Sequence, residues 1–185
     1  MFRKIILTLM ALMASVCKAD CFDKAAHDYS LDPDLLRAIA WTESQYRIAA
    51  IGNNPGSGYG MGLMQIDSQN IAHLKQFGIT PQMLLSDPCM NIYTGAYFLA
   101  IAFEKWGTTW RAVGAYNAGF SPTPQQEHRR KLYAEKIFKA YNSTRKKRHT
   151  LKPLNKKAII TTHNSKYLIV KDANLKEKSI PITPL

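Results

Sequence analysis

One carboxylate stands out as a candidate for chemistry. Glu43 falls on the same helical stripe as Leu36, Ile39 and Ala40, seven residues beyond Leu36. An ionised, unpaired carboxylate on a buried stripe is costly, so it needs a partner such as Arg37 or Arg111, or it keeps its proton. Trp41 lies two residues before it, as a core or surface anchor. No other acid occurs between Glu43 and Asp67. The interval holds five glycines in the eleven residues from Gly52 to Gly62, a loop whose backbone can approach a polar ligand closely. It is no phosphate loop, since the Lys-Ser/Thr ending and a preceding strand are both missing. The loop runs into Leu63, Met64 and Gln65, where Gln65 offers a donor and an acceptor together. Tyr116 and Asn117 then supply a ring that can stack on a sugar and an amide that can hold one, or equally a core ring and a cap.

The elements that must position these groups are mainly helical. Asp32-Pro33, Thr80-Pro81 and Asp87-Pro88 each place a capping side chain before a proline at the first helical position. From Cys89 the apolar residues Ile92, Tyr93, Ala96, Leu99, Ala100 and Phe103 recur at threes and fours and predict a helix ending near Gly107. A shorter helix is expected from Ser68 to Phe77, stopped by Gly78, another from Thr109 to Gly119, and an amphipathic one over 127–141 through Leu132, Ile137 and Phe138. Strand-like alternation in residues 20–142 is scarce, and no internal repeat is present.

The chain has 185 residues and a formal net charge of +12. Residues 1–19 contribute +3, residues 20–142 balance 11 basic against 11 acidic side chains, and residues 143–185 contribute +9. A nucleic-acid reader carries its positive charge on the folded module, and here the module is neutral. Arg3-Lys4, the apolar run Ile5–Ala14 and the small residues before Asp20 read as a signal peptide over 1–19, cut after about Ala19. That run is too short to span a bilayer, and a lipoprotein reading through Cys17 meets an unfavourable Val16. Cleavage leaves Cys21 and Cys89, as a disulfide in an oxidising compartment or as two buried thiols, and neither has the neighbours a metal site needs. Residues 143–185 read as a basic, flexible tail, in which Ala158–Thr162 and Tyr167–Val170 could pair as a marginal hairpin. Its charge suits wall polymer, anionic lipid or an acidic partner, or simply solvent.

Glu43-Ser44, Gly62-Leu63-Met64-Gln65-Ile66 and Ala115-Tyr116-Asn117-Ala118-Gly119 together, in order and spacing, resemble the three signature segments of the SLT-type lytic transglycosylases, relatives of the lysozymes. The resemblance covers most of residues 20–142. It implies a mainly α, lysozyme-like single domain with a groove for peptidoglycan glycan strands, followed by the basic C-terminal extension. It implies Glu43 as the catalytic acid/base, with Ser44, Gly62, Met64, Gln65, Tyr116 and Asn117 shaping the groove, binding the glycan or supporting the carboxyl. Some relatives carry an Asp just before the Gly-Leu-Met-Gln segment; here Gly60 and Met61 stand there, and Asp67 lies on its far side. The small size, the export signal and the cysteine pair resemble members serving secretion, conjugation or pilus machines, whose components the tail could meet.

With one carboxylate, the two-acid scheme of glycosidases is incomplete. The expected reaction cleaves the MurNAc-β-1,4-GlcNAc bond without water and leaves 1,6-anhydromuramyl ends, in the periplasm, with no metal or organic cofactor. Two other readings compete with it, a hydrolase of the same fold and a non-enzymatic glycan-binding assembly factor.

Overall fold

A computed structural model describes residues 17–54, 58–151, 167–172 and 175–181. The leader up to residue 16, and Ala158–Thr162, lie outside the described residues. The first helix, α1, spans Cys17–Asp28 and so runs across the expected cleavage point. All three capping pairs form as the sequence requires. Asp32 accepts from the Asp34 amide at 2.7 Å and opens α2 (Pro33–Ser44). Thr80 opens α4 (Pro81–Ser86), and Asp87 accepts from the Cys89 and Met90 amides to open the long α5 (Pro88–Trp106). Between α2 and α4, α3 (Ile71–Leu74) is one short turn flanked by 3-10 turns at Ser68–Asn70 and Lys75–Phe77, ending on Gly78 at φ 72°. Thr109 caps α6 (Trp110–Ala118), and α7 (Pro124–Leu151) follows. No helix among the described residues is long and apolar enough to cross a membrane.

The glycine-rich segment is a small sheet, which the scarcity of alternation concealed. Strands β1 (Ile51–Asn54), β2 (Gly58–Met61) and β3 (Ile66–Asp67) pair antiparallel in that order, with Gly52 opposite Gly60. Periodicity is weak in strands this short, with glycine at three of their ten positions.

Helix α5 runs through the core. Its Ile92, Ala96, Leu99 and Phe103 are buried with Leu36 and Ile39 of α2, Val113 of α6 and Ile137 of α7. Two corrections concern α7. Its buried face is Arg130, Tyr133, Ala134 and Ile137, whereas Leu132 and Phe138, expected inside, are 53% and 41% exposed. The helix also continues past residue 142, so the basic run Arg145–Arg148 is helical. Arg148 donates to Asp34 at 2.5 Å and Tyr141 to Asp32 at 2.5 Å, fastening α7 to the start of α2. Arg145 lies over the Tyr141 ring. Farther on, β4 (Tyr167–Asp172) pairs antiparallel with β5 (Leu175–Pro181). The strand at 167 thus pairs with the segment after it.

Cys21 and Cys89 form a disulfide, with Cα atoms 5.4 Å apart, joining α1 to the start of α5. It closes a loop across 68 residues of sequence, for which chain entropy suggests about 4 kcal/mol. Replacing both cysteines by serine should therefore lower the urea midpoint of unfolding substantially. An unchanged midpoint would show that the bridge contributes nothing.

Candidate active site

Glu43 sits in the last turn of α2, where the helix stops on two consecutive left-handed residues, Gln45 (φ 54°) and Tyr46 (φ 63°). Such conformations disfavour non-glycine side chains and end the helix abruptly. Neither arginine candidate reaches Glu43. Arg37 bridges Asp23 and Asp34, and Arg111 pairs with Glu127. The partner is instead Tyr133 of α7, whose hydroxyl donates to the Glu43 carboxyl at 2.5 Å. Trp41 points away, half exposed, against Tyr46.

Burial pushes the Glu43 carboxyl above its ordinary value; the Tyr133 hydrogen bond and the charge of Lys136 pull the other way without cancelling it. Among the described residues, no second carboxylate is one of the groups acting on its charge. The phenols of Tyr133 and Tyr116 are both pushed well above 10, first by burial and then by the nearness of Glu43. Both therefore remain hydrogen-bond donors over any working pH.

The turn at 61–65 is held from three sides. Ser44, buried beside Glu43, donates to the Leu63 carbonyl at 2.8 Å. Tyr116, its ring facing that of Tyr133 at 6.4 Å and 17°, donates to the Met64 carbonyl at 2.8 Å. Asn91 of α5, fully buried, accepts from the Met64 amide and donates to the Met61 and Leu84 carbonyls, all within 2.9 Å. Gly62 (φ 73°) has no room for a side chain, since a Cβ would meet Asn91 and the Leu84 carbonyl at 2.2 and 2.5 Å. Gln65, itself left-handed (φ 50°), donates to the Gly62 and Ala50 carbonyls at 2.8 and 3.2 Å. Its side-chain oxygen lies over the paired Gly52 and Gly60, where any Cβ would collide with it. The glycines thus make space for this amide.

The structure therefore gathers Glu43, Ser44, Gly62, Met64, Gln65 and Tyr116 around one turn. Ser44 and Met64 are buried, so they support the site rather than open onto it. Asn117, in the last turn of α6, is exposed, and its side chain makes no hydrogen bond among the described residues. Asp67, the acid beyond the turn, caps the following 3-10 turn by accepting from the Gln69 amide.

Tyr133 and Asn91 were not legible as site residues. Asn91 lies off the stripe that runs from Cys89 through Ile92 and Ala96 to Phe103, so its burial shows only in the structure. Tyr133 carried no signal beyond lying four residues before Ile137; nothing local ties it to a carboxylate 90 residues earlier. Behind Tyr133 the frame is rigid. The buried Arg130 donates to the Gly119 and Ser121 carbonyls at 2.7 and 2.9 Å and to Glu127 at 2.6 Å. Arg111 and Arg130 together hold the Glu127 carboxyl down to about 2.

A Tyr133→Phe variant should lose about tenfold or more in kcat/KM, the cost of removing a hydrogen bond to an ionisable group. Because that bond lowers the Glu43 pKa, its loss should also move the alkaline limb of the pH profile to higher pH. A purely structural tyrosine would leave the limb in place.

Residues 20–139 match the transglycosylase SLT domain family. The chain belongs to that family. On this membership it is a peptidoglycan lytic transglycosylase. It is 56% identical over 145 residues to the X polypeptide of Escherichia coli strain K12, covering 78% of this chain and 86% of that one. It is 40% identical over 136 residues to the invasion protein IagB of Salmonella typhimurium strain SL1344 (74% and 84% covered), and 36% identical over 138 residues to protein IpgF of Shigella flexneri (75% and 90%). Among solved structures it resembles an inactive mutant of the lytic transglycosylase Slt from Pseudomonas aeruginosa, with TM-score 0.55, 21% identity and 72% of this chain covered. The 70 kDa soluble lytic transglycosylase of Escherichia coli gives TM-score 0.52, at 21% identity over 70% of this chain. The chain spans about a quarter of each of those larger proteins, and the likeness shows the shared lysozyme-like fold.

Proposed function

We propose that Glu43 cleaves the MurNAc-β-1,4-GlcNAc bond of peptidoglycan without water, leaving 1,6-anhydromuramyl ends. Glu43 gives its proton to the glycosidic oxygen as that bond breaks. The substrate's own 2-acetamido oxygen stabilises the charge developing at the muramic C1. The C6 hydroxyl then bonds to C1 and returns its proton to the Glu43 carboxylate, so the enzyme ends as it began. Closure within one sugar enjoys a large effective molarity and outruns attack by water.

The observation that carries this reading is the pairing of Glu43. It has a tyrosine for a partner and a half-buried setting that favours its neutral form, with no second carboxylate among the described residues acting on it. A general acid must hold its proton near neutrality, and burial supplies that. Tyr133 fixes which oxygen faces the substrate, and the exposed amide of Asn117 is available for an acetamido or hydroxyl group of the glycan. Gln65 and Gly62 shape the turn beside it, which Ser44 ties to the acid's helix and Tyr116, through the Met64 carbonyl, ties to α6.

The export signal expected ahead of Asp20 supports a periplasmic location for the mature enzyme, where peptidoglycan lies. The likeness to an invasion protein of similar length supports work for a secretion, conjugation or pilus machine, opening the wall locally. The test is muropeptide analysis of purified sacculi incubated with the protein. Products with 1,6-anhydromuramyl ends are expected; reducing ends alone would assign a hydrolase, and no release of fragments would remove the enzymatic reading.

A further inference from the structure

On the side of α5 away from Asn91 and the 61–65 turn lies a second concavity, of about 450 Å³. Tyr29 just after α1, Phe77 and Ile79 beside the Gly78 turn, and Met90, Tyr93 and Tyr97 of α5 form most of it. Its walls are rigid. The Cys21–Cys89 disulfide ties α1 to α5 at its edge, and Asp87 caps α5 there. The Tyr97 ring stacks on His73 and shares a 2.8 Å hydrogen bond with it. Phe77, packed against both, is 60% exposed, a large apolar surface left to solvent.

The hydroxyls facing this bowl are already spent. Tyr93 donates to Asp28, Thr94 to the Met90 carbonyl, and Tyr97 bonds His73. Sugar recognition needs several free donors and acceptors around a stacking ring, and among the lining side chains these bonds leave the Tyr29 hydroxyl and the Asp87 carboxylate. The lining carries the Asp87 carboxylate and no Lys or Arg, and Asp28 stands just behind Tyr93. Anionic ligands are therefore disfavoured. We infer that the bowl is a docking site for a partner polypeptide that inserts an apolar side chain flanked by lysine or arginine. The apolar anchor would cover Phe77 and Tyr97, and the flanking cation would meet Asp28 and Asp87. A rigid aromatic pocket receiving one anchor is the usual form of an interface hot spot. Its position behind α5 would let a partner hold the enzyme without obstructing the groove at Glu43.

The probe is a displayed library of random dodecapeptides, selected on the full chain and counter-screened on Phe77→Ala. Phe77 is exposed and remote from the Glu43 turn, so this variant should fold and cleave glycan as the parent does. Selected peptides should carry Leu, Ile, Phe or Trp next to Lys or Arg, and bind Phe77→Ala about tenfold or more weakly. Acidic or anchor-free peptides, or equal binding to Phe77→Ala, would overturn the inference. Two further results would also overturn it, by assigning the bowl to another occupant. These are displacement of the selected peptides by a synthetic peptide of residues 152–166, and dimerisation of the parent chain that Phe77→Ala abolishes.

Discussion

Glu43→Gln should reduce cleavage of peptidoglycan by at least about 10³-fold, the scale of a lost general acid. It should do so without loss of fold or of glycan binding. The amide has the shape of the carboxyl and can still accept from Tyr133, so the α2–α7 contact survives. It cannot release a proton to the glycosidic oxygen. Stability gives an independent check. The folded Glu43 binds its proton more tightly than the unfolded chain does, so its stabilising contribution is complete below the ordinary carboxylate range. That contribution is lost as pH rises through the raised folded value. At pH 7 the glutamine variant should accordingly be at least as resistant to heat as the parent, and the gap should close in acid. A variant that is inactive because it is unfolded would contradict this, as would one that keeps substantial activity.

The second large effect is structural. Gly114 of α6 faces the backbone of α7 so closely that a Cβ would lie 2.4 Å from the Arg130 carbonyl oxygen and 2.8 Å from its Cα. In an open helix, replacing glycine with a residue bearing a Cβ stabilises by up to about 1 kcal/mol. Here the obstacle is main chain and cannot rotate away, so overpacking outweighs propensity. Gly114→Val should cost about 3 kcal/mol or more, read from the urea midpoint. The folded fraction should also be slow in catalysis, because Tyr133 lies one turn beyond Arg130 and moves with it. A midpoint and a rate equal to the parent's would refute the close approach.

Sequence and structure agree best where one residue's chemistry decides its place. The capping pairs Asp32-Pro33, Thr80-Pro81 and Asp87-Pro88 need only local backbone geometry, and each opens the helix expected of it. Glu43 was legible because a carboxylate on an apolar stripe demands an explanation. The explanation itself was not, since its partner comes from α7, far along the chain, and no spacing rule connects the two. Arg37 and Arg111 were reasonable by charge, yet nearer acids claim them. The small sheet escaped notice because Gly52 and Gly60 are absent side chains, and their meaning is the amide of Gln65 that occupies the space. Leu132 and Phe138 suggested the wrong face of α7, because the helix buries an arginine and a tyrosine where apolar residues are expected. Arg130 can be buried there because two carbonyls and Glu127 satisfy it.

The central claim is that a single carboxylate both gives and recovers the proton while the sugar closes on itself. Digestion of sacculi in water enriched with ¹⁸O tests it most directly, by mass spectrometry of the released muramyl ends. The account predicts fragments lighter by one water than hydrolytic products and free of ¹⁸O at C1. Muramyl ends carrying ¹⁸O at C1 would show that water is the acceptor, and the scheme built on Glu43 alone would fall.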